Sequence, residues 1–184
     1  MMKRLLVALA ILTIAGCTRK SDESGQGQFF ATANGSVEFQ FPAGWFKSKE
    51  DNPYDLQCFS KHERMTTGVF LFAKEDLAED FTARELFEKQ IGDLKSKRKN
   101  FKVLEEEQKV LLEKKTLTTI VFSGEKGSSK YYYKFTLVEF AENPEMSLVV
   151  LQVAIPSYWT KHKPILEEIT KSGRVRVGEP REKR

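Results

Sequence analysis

The chain divides into an apolar opening, a short polar stretch and a long body in which short apolar segments are separated by polar turns. Ten of the eleven residues from 5 to 15 are apolar, whereas residues 18–27 are polar and small. In the body, Val37, Phe39 and Phe41 alternate with polar residues, a period of two that predicts a half-buried strand. Further strands are predicted at 54–60, 67–73, 101–112, 116–123, 131–140 and 147–155.

Turn signals separate these strands. Asn34-Gly35 lies between two extended segments and predicts a tight hairpin. Turns are also predicted at 42–44, 124–129 and 143–144, where glycine, proline, serine and asparagine concentrate. Segments 67–73 and 147–155 are apolar on both faces, which is typical of inner strands covered on two sides.

Two segments have helical spacing. Thr82 and Glu85 fit a capping box, and the apolar residues that follow predict a helix over 83–97. A closing helix is predicted over 158–171, with Pro164 tolerated in its first turn and Gly173 as its stop.

The apolar opening is too short to cross a bilayer, which takes about 20 residues. It follows Lys3 and Arg4, as the apolar core of a secretory signal does. Residues 14–17 (Ile-Ala-Gly-Cys) resemble the lipobox of bacterial lipoproteins. The resemblance implies that Cys17 receives a diacylglyceryl group, that a signal peptidase cuts before it, and that its new amino group is acylated, for instance with palmitate. In such proteins an aspartate directly after the cysteine causes retention at the inner membrane, and this chain has Thr18 there. The expected location is therefore the outer membrane, with the protein facing the periplasm.

Composition changes when the signal is removed. Two of the 30 basic residues and none of the 26 acidic ones precede Cys17, so the body has a net charge of about +2. Nothing resembles the dense basic face of a nucleic-acid-binding protein. The expected organisation is a signal peptide at 1–16, a lipidated Cys17 with a flexible tether at 17–27, one globular domain at 28–178 and a disordered tail at 179–184.

Residues 37–45 (VEFQFPAGW) resemble the opening strand and Pro-x-Gly-Trp turn of PsbP-like domains, a family that includes bacterial lipoproteins of the DcrB kind. The element order of residues 29–177 is similar as well. The resemblance implies an α/β fold: an α/β/α sandwich with a mostly antiparallel central sheet. It transfers no binding residue, because one fold hosts many functions.

Candidate catalytic and metal-binding groups are sparse. His62 and His162 lie in separate polar segments, the latter in the first turn of the last helix, and neither has ligand spacing toward a second metal-binding residue. The carboxylates of residues 105–107 alternate between the two sides of a strand and cannot converge, which predicts a solvated edge. Cys58 has no basic residue nearby and is expected to be buried in a strand. No catalytic residue, metal site or cofactor is therefore predicted.

Aromatic residues leave two interpretations open. Tyr131 and Tyr133 point to one face of their strand, while Tyr158 and Trp159 open the last helix. They either fill the core or line a binding site. Arg174, together with the basic residues after it, either is solvated or contacts lipid headgroups.

The sequence predicts a non-enzymatic, lipid-anchored protein of the bacterial cell envelope that binds or assists another envelope protein. Its expected partners are the membrane, through acylated Cys17, and that protein, with no nucleic acid. One alternative is a lipoprotein that binds a small or lipidic ligand in a pocket beside the sheet. A hydrolase with an unrecognised site is a third interpretation.

Overall fold

The computed structural model describes residues 27–50, 52–61, 64–76 and 81–176. The expected signal peptide, Cys17, all but the last residue of the tether, His62 and the expected tail lie outside the described residues. The described part contains ten strands, two α-helices and one 3-10 turn at Lys74–Asp76. The strands are β1 (Gln28–Ala31), β2 (Val37–Phe41), β3 (Phe46–Lys47), β4 (Leu56–Phe59), β5 (Met65–Ala73), β6 (Lys99–Leu112), β7 (Lys115–Lys126), β8 (Ser129–Phe140), β9 (Asn143–Ala154) and β10 (Arg174–Val175).

Two antiparallel sheets carry the fold. Seven strands form the large sheet in the order β3-β4-β5-β9-β8-β7-β6, and three form a small sheet in the order β1-β2-β10. Helix α1 (Ala83–Ser96) packs on one face of the large sheet. Helix α2 (Pro156–Ser172) and the small sheet cover the other face. The predicted α/β/α sandwich is confirmed, and the small sheet is an addition that the sequence did not predict.

The core is divided by the sheet. On the α2 face, Phe39 and Phe41 of β2 pack in one cluster with Trp159, Leu166 and Ile169 of α2. On the α1 face, the cluster comprises Phe87, Phe122, Tyr133, Phe135, Leu137, Val149 and Leu151. Strands β5 and β9 are inner strands of the sheet, as their apolar sequences predicted.

Helix α1 begins where the sequence predicts. The Thr82 side chain accepts a hydrogen bond from the Glu85 amide, and the Glu85 carboxylate accepts one from the Thr82 amide. These bonds occupy two backbone donors that a helix start leaves without partners. The hydrogen bonds that the Glu85 carboxylate accepts from the Thr82 amide and hydroxyl lower the pKa of Glu85.

Helix α2 begins two residues earlier than predicted. Pro156 is at its first position, where a missing amide costs nothing. The expectation that Pro164 lies in the first turn is wrong, because it is the ninth residue of the helix. His162 is in the second turn. The helix ends at Gly173 as expected, and Lys115 Nζ donates to the carbonyls of Lys171 and Gly173 at that end.

Two predicted turns differ from the structure, one in length and one in position. Strand β7 continues to Lys126 and β8 begins at Ser129, so the turn is confined to Gly127 and Ser128. Gly127 has a φ of 62°, which a residue with a side chain rarely adopts. The predicted turn at 143–144 is wrong, because β9 already begins at Asn143 and the chain turns at 141–142.

Candidate interaction surface

Strand β6 forms one edge of the large sheet and has no strand on its outer side among the described residues. Five of the seven exposed large apolar side chains in the described part of the chain lie on this strand: Val103, Leu104, Val110, Leu111 and Leu112. An unpaired edge offers free amide and carbonyl groups to another chain. Because the unpaired edge and the exposed apolar side chains lie on the same strand, this edge is the candidate interaction surface.

The first part of β6 is irregular and partly covered. Its pairing with β7 shifts register three times before Gln108, which places an extra β6 residue at each shift. Because of these bulges, Glu105 and Glu107 reach opposite faces although they are two residues apart. Lys163 Nζ of α2 lies 2.7 Å from Glu105 Oε1, and Arg84 Nη2 of α1 lies 2.8 Å from Glu107 Oε2.

Glu107 and its arginine are held in a small charged network. Arg84 Nε also donates to Glu88 Oε1 at 2.7 Å. The hydrogen bond from Arg84 holds the pKa of Glu107 below its ordinary value. The carboxylates of residues 105–107 do not converge, as predicted, but two of them are paired with helix side chains instead of being free in solvent.

The last part of β6 is regular and uncovered. From Gln108 to Leu112 each residue has one partner on β7 without a shift. Val110 is opposite Leu117, a residue of the α2-side core, so Val110 and Leu112 face the α2 side and Leu111 faces the α1 side. Their exposed fractions are 44% for Val110, 75% for Leu111 and 36% for Leu112. Sequence reasoning missed this patch; its signal is three consecutive aliphatic residues immediately before the polar turn at 113–114.

A second feature is an open groove between the small sheet and α2. Its volume is about 590 Å³, and Phe41, Pro42, Ile165 and Ile169 supply apolar surface to it. Lys171 and Glu168 are among its polar lining residues, and Gly27 lies at one side. The groove lies against the helix and is an open surface cleft.

A row of polar side chains crosses the sheet beneath α2. Thr67, Gln152 and Lys134 are direct neighbours on β5, β9 and β8, and the row continues through Val121 to Glu105. Gln152 Nε2 donates to the Leu166 carbonyl at 2.8 Å. Thr67 Oγ1 and Gln152 Oε1 are buried without a hydrogen-bond partner. This row therefore places three polar side chains next to one another in a layer that is largely apolar.

Lys134 is the unusual member of the row. Only 6% of it is exposed, and burial lowers the pKa of its amine to about 8. The charges facing it are Glu167, Lys163 and Lys171 of α2 and Glu105 of β6. Sequence reasoning did not single it out, although a lysine inside the apolar segment 131–140 is the signal that would have found it.

The aromatic residues that the sequence left open lie mainly in the core. Tyr133 is buried in the α1-side cluster, and its hydroxyl accepts a hydrogen bond from Arg98 Nε at 2.8 Å. Tyr131 is half-buried beside it, with 6.3 Å between ring centres. These contacts account for both side chains as packing.

The two aromatics at the start of α2 differ from each other. Trp159 is buried and packs edge-on against Tyr132 at 6.0 Å, which fixes the helix on the sheet. Tyr158 is half-buried, with the Arg64 guanidinium 5.0 Å above its ring and His162 at 5.5 Å on the same helix. Tyr158 and His162 therefore lie partly exposed at the surface of the body.

Other predicted chemistry is dispersed. Cys58 is buried in β4, as expected, and burial raises the pKa of its thiol to about 12. Arg174 and Arg176 both reach Glu38, at 2.7 and 3.5 Å. Among the described residues no cluster of three His, Cys, Asp or Glu side chains is placed to bind a metal. In the same residues no helix is both long enough and apolar enough to cross a membrane.

Comparison with known proteins places the fold. No family model matches the chain, and no curated protein matches its sequence. Among solved structures, the cyanobacterial PsbP (CyanoP) of Synechocystis sp. PCC 6803 is similar, with a TM-score of 0.61, 12% identity, and coverage of 85% of this chain and 96% of that one. LpqN of Mycobacterium tuberculosis, described as involved in cell envelope biogenesis, has a TM-score of 0.61 at 12% identity and covers 83% and 91%.

A third similar structure comes from a eukaryote. The Ran-binding protein Mog1p of Saccharomyces cerevisiae has a TM-score of 0.55 at 11% identity, with coverage of 83% of this chain and 96% of that one. Identities this low define the fold alone. The chain therefore has the PsbP-like fold, which the sequence resemblance at residues 37–45 predicted.

Proposed function

We propose that this protein is a lipid-anchored accessory protein of the bacterial cell envelope, held by acylated Cys17 and acting by binding another envelope component. The observation that carries the proposal is the N-terminal sequence, in which a short apolar segment ends at residues 14–17 (Ile-Ala-Gly-Cys) ahead of a single folded body. Two or three acyl chains make attachment effectively permanent, since each buried methylene contributes about 0.8 kcal/mol.

The character of the body supports a binding role. Among the described residues, Glu105 and Glu107 are held in ion pairs and Cys58 is buried, whereas a catalytic site needs an acid, a base or a nucleophile that substrate can reach. The similarity to LpqN, described as involved in cell envelope biogenesis, is consistent with an accessory role in the envelope. Absence of enzyme activity remains part of the proposal.

Fractionation of a Cys17→Ser variant tests the anchor. The variant lacks the thiol that takes the lipid, so we expect it in the soluble periplasmic fraction, while the unchanged protein is recovered with membranes. A Cys58→Ser variant is the matched control, because it removes the other cysteine and leaves the lipobox intact. Equal membrane association of Cys17→Ser and the unchanged protein would refute the anchor.

Recovery of a partner tests the accessory role. The proposal expects affinity purification from solubilised membranes to yield one envelope protein in a fixed ratio to the unchanged protein. A purification that yields this chain alone, after cross-linking in intact cells, would contradict a hetero-protein role.

The groove beside α2 favours a second candidate, binding of a lipidic ligand. Its apolar residues form an open cleft of about 590 Å³, within the usual range for ligand sites. An Ile165→Glu variant places a carboxylate in this cleft and should abolish binding of a fluorescent fatty acid, whereas Lys130→Glu, away from the cleft, should not. Absence of fatty-acid binding to the unchanged protein would remove this candidate.

A further inference from the structure

The last five residues of β6, Gln108 to Leu112, differ from the rest of this edge. Bulges and two ion pairs to the helices interrupt the edge before Gln108. Such bulges and charges are the devices by which proteins block edge-to-edge pairing. From Gln108 to Leu112 the strand has no bulge and no ion pair to a helix, and it exposes three aliphatic side chains beside a single charged residue, Lys109. This segment is therefore the part of the edge that is open to a further strand.

We propose that this segment pairs in antiparallel fashion with the same segment of a second copy of the chain, with Leu111 opposite Leu111 of the second copy. A two-fold axis perpendicular to the sheet relates the two antiparallel strands and leaves each face of the sheet on its own side. Two residues that lie opposite each other must therefore point to the same face of the sheet. Val110 then lies opposite Leu112 of the second copy, and both face the α2 side. Lys109 comes opposite Glu113, the first residue after the strand.

Charge selects this register among its neighbours. A two-fold axis at Val110 would bring Glu107 opposite Glu113, and an axis at Lys109 would place two lysines opposite each other. The axis at Leu111 instead gives one apolar pair at the centre, two apolar pairs beside it and two Lys-Glu pairs outside. Opposite charges and apolar pairs across strands each stabilise a sheet, whereas like charges destabilise it.

The contact is small, because only five residues of each chain take part. It suits a weak association that becomes significant when both copies are confined to one membrane, which raises their effective concentration. Only this last step rests on the proposed lipid anchor. The surface and its register are independent of the anchor.

A single cysteine tests the register directly. In the proposed dimer a Leu111→Cys variant brings two thiols opposite each other, with Cα atoms about 4.5–5.5 Å apart, which is within disulfide range. We expect a disulfide-linked dimer when intact cells are oxidised. Val103→Cys is the matched control: Val103 is exposed on the same strand and face, but the two copies would lie about 40 Å apart.

A charge reversal tests the same register without a covalent link. Lys109→Glu and Glu113→Lys should each weaken association about tenfold, because two Lys-Glu pairs become like-charge pairs. The double variant Lys109→Glu/Glu113→Lys should restore it. Association is measured by analytical ultracentrifugation of the purified full chain in detergent, alongside the cross-linking.

The outcomes separate this inference from the proposed function. Cross-linking of Leu111→Cys to itself, with restoration by the double reversal, supports the second copy. Cross-linking to a different polypeptide, or equal cross-linking at Val103→Cys, overturns it. A membrane-bound Leu111→Cys variant that stays monomeric also overturns it and leaves the proposed anchor intact.

Discussion

At the residue scale, Lys134 is a charged group inside a layer that otherwise holds apolar and neutral polar side chains. Burial lowers the pKa of this lysine from 10.5 to about 8. Below pH 8 the amine is charged in both the folded and the unfolded chain, and the folded state bears the cost of desolvating it. Between about pH 8 and 10.5 only the unfolded chain holds the proton, so rising pH favours the folded state.

We therefore expect Lys134→Met to raise the free energy of unfolding at pH 7, by up to about 3 kcal/mol on the usual 1.36 kcal/mol per pKa unit. The variant should also lose the gain in stability between pH 8 and 10.5. Urea unfolding at several pH values measures both effects. Lys130→Met, exposed on the same strand, should leave the pH dependence unchanged. A Lys134→Met protein that is less stable than the unchanged one at pH 7 would contradict this interpretation.

Cys58 gives a second prediction at this scale. Its thiol is buried, and burial raises its pKa to about 12, so thiolate is scarce and hard to reach in the folded protein. Iodoacetamide should leave Cys58 unmodified at pH 8 until denaturant unfolds the chain. Peptide mass mapping distinguishes the two states. Rapid alkylation of Cys58 in the native protein would mean that β4 opens readily.

At the element scale, the start of α1 depends on two side chains close in sequence. Thr82→Ala removes the hydroxyl that accepts a hydrogen bond from the Glu85 amide, and it should lower the free energy of unfolding by about 1 kcal/mol. Glu85→Gln keeps a side-chain acceptor for the Thr82 amide and should cost less than half as much. Thermal unfolding followed by circular dichroism measures both. Equal losses in the two variants would argue against a reciprocal cap.

Helix α2 carries a proline at two positions with different consequences. Pro164 lies in the helix interior, where it removes one backbone hydrogen bond and crowds the preceding turn. Pro164→Ala should therefore raise the free energy of unfolding by about 1–3 kcal/mol. Pro156→Ala at the first helical position should change it little. A destabilised Pro164→Ala variant would indicate that the proline shapes the packing of α2.

These two helices also show why sequence reasoning succeeded for one element and not for the other. The start of α1 is determined by a local motif, the capping box of Thr82 and Glu85, so the sequence predicted the first residue of the helix correctly. The residue that caps α2 is Ile155, whose side chain cannot form a capping hydrogen bond. The sequence therefore contains no capping motif that would mark the start of this helix. Strands β3 and β10 were missed because two residues become a strand only through a partner distant in sequence.

The candidate site was predictable only in part. Burial of Cys58 was predicted from its residue type and its strand, whereas the sequence left open whether Tyr133 and Trp159 pack in the core or line a site. The exposure of Val110 to Leu112 was not predicted, because aliphatic residues in a strand normally indicate core. Their exposure follows from the position of β6 at the sheet edge, and the bulges that separate Glu105 from Glu107 follow from its pairing with β7. Both are properties of the assembled sheet.

At the scale of the whole molecule, the sheet is covered by α1 on one face and by α2 with the small sheet on the other. The outer edge at β6 and the groove beside α2 are two surfaces that this architecture leaves open. A body with a covered sheet and an open edge fits the proposed function, which is to bind another envelope component. The PsbP-like fold is compatible with this role but does not specify it.

The central claim is that Cys17 anchors this body to a membrane outside the cytosol. Intact-mass measurement of the protein purified from its own membranes tests it most directly. The account predicts a polypeptide that begins at Cys17 and carries the mass of two or three acyl chains. An unacylated polypeptide that retains residues 1–16 would contradict it.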